Sequence, residues 1–564
     1  MKKFVALFLS LVMVAALAAC GQSGAGSATT AAPAGGGDAT ASAAETTTAQ
    51  KYAEQETKEN MESVEVDEIT YATRTATSLN GFGTRGGAPG GYEVYEMIYE
   101  ADIYGEMQPF LADATYEGNF LPGCDHEPGT GVYTVHIYDY IKDHNGNDVT
   151  AEDVAFSYLH SLNEENTSGW KDNLLDVKAL DPSTVEFTFA KEQTGVGQLL
   201  NVFCRCIIVD EDTYNNSPSH LNDEMIGTGP YKMESYTSGA ELVLVRNDDY
   251  WQTNEEVRRQ EQQANVKKLV YKFIDENSQK LIGLKTGELD LVTSLDTKDI
   301  GDFLEGGEFA DKFNVFSFQD KMVMALHPNC SEKSLCGNKD FRLAVLNAID
   351  LDGIIASRGG FDIKLDAYAN SYYSDYDFVD WASKDNYQTK KAVDPAVVKD
   401  YLDKAGYQGE TITLLGNAGM DDLANVIVNM LLQQGINAES KLVDGASFYN
   451  ELDNPEAWDI CLQQMAGDYN VTVWEHAFSF GNTSTKDHTQ YWGTDQAWED
   501  LLNECLSEEG HTPENMEKWW DMAVENGYVL ALYASIKNDI LPKNMTYYVV
   551  GDKNTALAGA SVYE

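Results

Sequence analysis

The residue patterns in this chain that could carry chemistry are few, and each has a plainer explanation. Asp143, Asn145 and Asn147 fall at the spacing that opens a calcium-binding loop. The sixth position of such a loop is Asp148 where glycine is required, and the twelfth is Val154 where glutamate is required. Asn145-Gly146 therefore reads as a tight turn. The glycines from Gly83 to Gly91 surround Arg85, Ala88 and Pro89 without the strand–loop–helix setting of a phosphate cradle. Cys204 and Cys206 flank Arg205, and a buried apolar pair on one face is favoured over a metal or redox pair. Cys330 and Cys336 are spaced to close a small loop. The 9 histidines are scattered without metal-ligand spacing. With 91 acidic side chains, close carboxylate pairs arise by chance and give no support to glycosidase chemistry. Gly-x-Ser-x-Gly, His-Glu-x-x-His and the Walker Gly-Lys-Ser/Thr are all absent from the sequence.

The elements that would position any site alternate between strand and helix, which predicts stacked α/β layers. Tyr133, Val135 and Ile137 alternate with polar residues as in a strand. After the Asn145-Gly146 turn, Thr150 and Asp153 form an approximate capping box for a helix whose apolar face is Ala151, Val154, Ala155, Tyr158, Leu159 and Leu162. Leu242 to Val245 is a β-rich run. Phe341 to Ile355 reads as one helix, and Asp421 to Gln433 as another, stopped by Gly435. Ile436 to Val443 reads as a strand.

The chain has 564 residues, 91 acidic against 39 basic, and a net charge of −52. That balance argues against nucleic acid and anionic lipid surfaces as main partners. Its ordinary hydrophobic fraction of 43% allows a large core, and its length suggests more than one domain. Met1-Lys2-Lys3 followed by the apolar run from Phe4 to Leu17 reads as a secretory signal, too short to span a bilayer. The Leu17-Ala18-Ala19-Cys20 end resembles the lipobox of bacterial lipoproteins. That resemblance implies removal of residues 1–19 and a diacylglycerol on Cys20. Residues 20–68, first Gly/Ala/Ser/Thr-rich and then acidic, read as a tether on the order of 40 Å long. Seven cysteines remain after Cys20, an odd number at low density for a disulfide scaffold.

Several segments, in order, resemble the bacterial extracellular solute-binding proteins of family 5, the peptide-, dipeptide- and nickel-type receptors of ABC importers. They are YTVHIYDYIKDHNGNDVTAEDVAFS (Tyr133 to Ser157), GTGPYKMESYTSGAELVLVRNDDYW (Gly227 to Trp251), LKTGELDL (Leu284 to Leu291), FRLAVLNAIDLDGII (Phe341 to Ile355), VDPAVVKDYLDKAGY (Val393 to Tyr407) and Met430 to Val443. The resemblance runs from about Tyr92 to Val549. It implies an α/β, two-lobed periplasmic-binding-protein fold of the large type II cluster. Lobe I spans about 69–315 with an extra subdomain near 110–225. Lobe II spans about 316–519, and 520–564 return to lobe I, so two crossings form a hinge.

Most of the signature residues read as structural. Gly227 and Gly229 give backbone freedom before Pro230. Asn247, Tyr250 and Trp251 dock the chain after a strand. Arg342 and Asp350 fix a helix by charge-assisted bonds.

The segment from Gln463 to Trp492 is more informative. At the matching place, peptide-binding members carry an acid that pairs with the α-ammonium of the peptide. Asp468 is that residue, with Met465 and Tyr469 beside it. An ammonium enclosed in a cleft needs such a fixed anion, since an unpaired buried charge costs several kcal/mol. Met465 stands where an aromatic is often found, and Val471-Thr472 replaces the usual acid-proline. Gly87, Ala88 and Pro89 fall at a ligand-lining loop of the family, Asn329 at its entry to lobe II, and Tyr372, Tyr373 and Trp381 in a further lining stretch.

The expected function is therefore an extracytoplasmic, lipid-anchored monomer without cofactor or catalysis. It captures a short peptide or similar solute and hands it to an ABC permease. An oligosaccharide, an opine or a metal chelate are alternative ligands on the same fold. A tethered hydrolase or a sensory receptor are alternatives of another class.

Overall fold

The computed structural model describes residues 63–75, 79–82, 88–102, 106–163, 173–191, 194–365, 392–466, 491, 493, 495–550 and 554–563. Two long strands organise it. Phe313–Pro328 and Leu530–Pro542 pair antiparallel inside a six-stranded sheet. The sheet order is Val292–Asp296, Leu530–Pro542, Phe313–Pro328, Ile460–Ala466, Ile412–Asn417, Ala438–Val443. The first three junctions are antiparallel and the last two parallel.

Along the long pair the register runs from Phe313↔Pro542 to Gln319↔Ile536, slips, and resumes at Val323↔Ala534. The slip is where the chain changes core. Phe318 and Leu541 pack with Leu242, Leu244 and Tyr271. Val323, Ala531 and Ala534 pack with Trp458, Trp498 and Trp519. A strand irregularity of this kind bends the strand and sharpens its twist. The two-crossing connection expected from the sequence thus lies between Phe318 and Val323 and between Ala534 and Ile540.

Both expected boundaries move as a result. A break at 315/316 falls within a continuous strand. A break at 519/520 falls inside the helix Pro513–Asn526, whose Met516, Trp519, Trp520 and Ala523 all enter the second core. Part of the stretch expected to be a tether, from residue 63 to 68, is structured. Ser63–Val64 adds a strand to Asn554–Tyr563, and Glu65, Asp67 and Glu68 pair with Arg246, Lys267 and Lys268.

On the first side stand a sheet of Ile69–Thr73, Lys268–Phe273, Glu241–Arg246 and Tyr231–Thr237, and a second of Cys124–Glu127, Val132–His136, Thr184–Phe189 and Leu174–Asp181. The second sheet has its own core with the helix Ala151–Asn163, to which Ile98, Tyr99, Tyr250 and Trp251 also contribute. This is the place of the extra subdomain.

Local signals explain much of the detail. Asp153 accepts from the amide and hydroxyl of Thr150 at 2.7 and 3.0 Å, closing the expected helix start. Gly146 takes φ +88 in the turn. Both Asp143 oxygens are taken by Asn145, Asn147 and Thr213, which leaves a turn and not a calcium loop. Gly435, at φ +82, ends the helix Asp421–Gln433 as expected.

Two expectations fail. The expected single helix 341–355 is two, Lys339–Asn347 and Leu351–Ser357, broken at Asp350 in extended conformation. The break redirects the chain so that Ile349, Leu351 and Ile354 all reach one core. Arg342 does not pair with Asp350. Its guanidinium donates to the carbonyls of Cys336, Gly337 and Asn526 at 2.9–3.2 Å.

Candidate functional site

The strand Ile460–Ala466 runs to the junction of the two cores. Its pairing with the first long strand ends at Met322↔Ala466, beside the register slip. Asp468 follows two residues later. Asp468, Tyr469, Tyr372, Trp381 and Gly87 lie outside the described residues, as does Cys20. Met465 is in the strand and pairs through its backbone with Val323.

The described candidates are placed in the framework. Asn329 is fully buried. Its Nδ2 donates to the carbonyls of Pro455 and Trp458 at 3.0 and 2.9 Å, and its Oδ1 accepts from the Ser331 amide at 3.0 Å. It clamps the end of the first long strand to the segment that precedes Ile460–Ala466. Ala88 is also buried, packed in the core with Val94, Leu242 and Leu244, and its carbonyl accepts from the Gly91 amide. Both were expected to line a ligand; in the structure their side chains hold the protein together. Pro89 is half-buried in the turn before the helix Gly91–Val94.

Residues of the family-signature segments take part in two hydrogen-bond networks. Glu96 is buried and accepts from Tyr250 Oη at 2.5 Å, Gln262 Nε2 at 2.7 Å and Trp251 Nε1 at 2.9 Å. Desolvation raises its pKa above the usual carboxylate range, against the pull of these donors. Tyr250 and Trp251 were legible as docking residues, but their acceptor was not. The signal that could have found it is the run Glu93, Glu96, Glu100, acids at helix-like intervals among Val, Tyr, Met and Ile, all of which are buried.

The second network joins the Asn145-Gly146 turn to the Gly-Thr-Gly-Pro-Tyr segment through His144. Gly227 N donates to its Nδ1 at 3.3 Å, its Nε2 faces the Gly229 carbonyl at 3.0 Å, and Lys232 Nζ donates to the His144 carbonyl at 3.0 Å. The ring is neutral with the proton on Nε2, and desolvation lowers its pKa to about 4. Gly227 and Gly229 are not needed for unusual backbone angles. A Cβ on Gly227 would lie 2.3 Å from the Val94 carbonyl, and one on Gly229 would lie 2.4 Å from that of Glu93. They are glycines so that this segment can lie against the helix Gly91–Val94.

All seven described cysteines are buried and none is in a disulfide, so Cys330 and Cys336 do not close a loop. Cys204 and Cys206 follow the helix Val196–Phe203 in a turn and enter the subdomain core. Among the described residues no cluster of three or more His, Cys, Asp or Glu is placed to hold a metal ion, and no helix is long and apolar enough to cross a membrane.

The family model described as bacterial extracellular solute-binding proteins, family 5 middle, matches residues 106–486. The chain belongs to this family. Family 5 proteins are extracytoplasmic binding proteins of transport systems and not enzymes. The chain is 22% identical to the oligopeptide-binding protein AppA of Bacillus subtilis over 460 residues, 74% of this chain and 78% of the relative. It is 24% identical over 343 residues to the nickel-binding protein NikA of Staphylococcus aureus, 60% of this chain and 64% of that one. The solved structure of B. subtilis AppA with a nonapeptide superposes with a TM-score of 0.66 at 17% identity, covering 89% of this chain and 100% of that one. That likeness carries the two-lobed family 5 fold.

Proposed function

We propose that this protein is the lipid-anchored receptor of an ABC importer, captures a short peptide between its lobes and delivers it to the permease. Cys20 carries the lipid, residues from Cys20 to the first strand at Ser63 form the tether, and the protein acts as a monomer. The observation that carries the reading is the pair of long strands whose register slips where the two cores meet, because two strand crossings with an irregularity at one level make a hinge. The strand Ile460–Ala466 ends at that level two residues before Asp468, which supports a place for this acid in the cleft. There its carboxylate would meet the ligand α-ammonium. The peptide main chain would be read in extended form by backbone hydrogen bonds.

Isothermal titration of the full-length protein against dipeptides to nonapeptides, nickel chelates and oligosaccharides tests this. Binding of free-amine peptides that is weakened at least about tenfold by Asp468→Asn, with little effect of the same substitution on N-acetylated peptides, supports it. Binding of a nickel chelate or a sugar with no peptide binding overturns the peptide assignment. Affinity unchanged in Asp468→Asn removes the anchor role.

A further inference from the structure

We infer that His126 and Glu508 form a proton-dependent latch that holds the two lobes closed over the cleft. The residues belong to bodies with separate cores. His126 lies on the strand Cys124–Glu127 of the subdomain sheet. Glu508 lies in the turn between the helices Gln496–Cys505 and Pro513–Asn526, which pack in the core of the second lobe. The ring Nε2 of His126 is 3.2 Å from Glu508 Oε2, and the same oxygen accepts from the Gly129 amide at 3.3 Å. A second point of contact lies beside it: the Gly195 amide donates to the Leu506 carbonyl at 2.8 Å. A Cβ on Gly195 would stand 2.8 Å from that same oxygen, so the turn is seated closely on the subdomain.

The proton requirement follows from the partners of the ring. His126 Nδ1 faces the Val132 carbonyl at 2.9 Å, and a carbonyl only accepts, so Nδ1 carries a hydrogen. Nε2 faces a carboxylate. An ionised carboxylate also only accepts, and a neutral ring with its hydrogen on Nδ1 would present a lone pair to it. The contact is satisfied when the pair holds one more proton than neutral imidazole plus carboxylate. The proton bridges Nε2 and Oε2, and on its loss two acceptors face each other.

The ring cannot turn away from this choice. It is stacked on Tyr133 at 4.0 Å and 5°, has Phe120 at its edge, and its side chain is only 4% exposed. The other titratable groups on the packed elements are Tyr133, Cys124 and Glu127 on the same strand as His126, the exposed Glu504 and Glu509 beside Glu508, and the buried His511 in the same turn, whose Nδ1 faces the Cys505 carbonyl at 3.1 Å. Asp125 is turned to Tyr116 and His136. Because the contact needs that proton, acid favours the closed form and alkali the open one.

The latch rests on the hinged reading above but not on the identity of the ligand, because it is tested without solute. With the seven described thiols buried and Cys20 replaced by Ser, spin labels on Lys191→Cys and Glu509→Cys in the full-length protein report the gap across the latch by double electron–electron resonance. Between pH 5.5 and 8 the ratio of short to long distances should fall about fivefold or more, as for loss of a charge-assisted hydrogen bond. Glu508→Gln should abolish that pH dependence, since its amide can donate to a neutral Nε2 at either pH. His126→Gln should do so too. Identical distances at both pH values in the native sequence, or the same pH response in both variants, overturns the latch. A peptide library that fails to bind leaves these distances unaffected.

Discussion

Trp498 and Trp519 stack at 4.7 Å between ring centroids and 9° between planes, and each indole donates to the main-chain carbonyl of the other, at 3.0 and 3.1 Å. This reciprocal pair ties the helix Gln496–Cys505 to Pro513–Asn526 and so fixes the turn between them that carries Glu508. Both rings are buried. Trp519→Phe keeps most of the ring but loses one donor and should cost about 1–2 kcal/mol. Trp519→Ala should cost about 3–5 kcal/mol through the cavity it leaves. Urea unfolding measures both, and equal costs would show that the hydrogen bond, not the packing, dominates.

The carboxylate of Glu96 plays the same part on the other side. Glu96→Ala would leave the donors of Tyr250, Trp251 and Gln262 buried without their acceptor. At about 1–3 kcal/mol for each unsatisfied group, the loss should reach at least about 3 kcal/mol. Glu96→Gln keeps one acceptor oxygen and should fall between this and the native protein. A thermal midpoint for Glu96→Ala within about 1 °C of native would show that water enters and replaces the carboxylate.

How far the sequence could be read follows the span of each interaction. Thr150 with Asp153, the Asn145-Gly146 turn and the stop at Gly435 are decided within a few residues, and all were legible. Glu96 meets Tyr250 across 154 positions, and nothing near either residue names the partner. Family resemblance gave the right places for the glycines at 227 and 229, yet the reason for them, the backbone of Glu93 and Val94 lying against them, is tertiary. The same limit explains Asn329 and Ala88: each sits at a place the resemblance marks, and the side chain is absorbed by the packing of the lobe. The helix break at Asp350 was hidden because the apolar spacing of Phe341 to Ile355 suits one helix as well as two.

His144 makes stability depend on pH with a definite sign. Its folded pKa of about 4 lies below the ordinary 6.5 because burial penalises the charged ring. Above about pH 6.5 the ring is neutral whether the chain is folded or not, and its full contribution is present. As pH falls, the unfolded chain takes up the proton near 6.5 and the folded ring only near 4, so stability is lost across that window. For this half-buried ring the loss amounts to about 2–3 kcal/mol. His144→Gln should be less stable than native at pH 7.5, and the gap should shrink by that amount by pH 4. Guanidinium titrations at four pH values check it; a constant gap would mean that folding leaves the pKa of the ring unchanged.

The thiols give a count that discriminates between two covalent states. None of the seven cysteines is more than 6% exposed, and burial pushes Cys330 up to about 11 and Cys124 and Cys505 up to about 12. The reactive species is the thiolate, so these groups are shielded twice, by access and by protonation. In the full-length protein with Cys20→Ser, a disulfide-exchange reagent at pH 8 should find almost no thiol before unfolding and all seven afterwards. Five after unfolding would mean that one pair is oxidised, with Cys330 and Cys336 the first to check because they are near enough for one to raise the pKa of the other. A thiol that reacts rapidly in the native protein would instead show that one of the cores opens on the timescale of the assay.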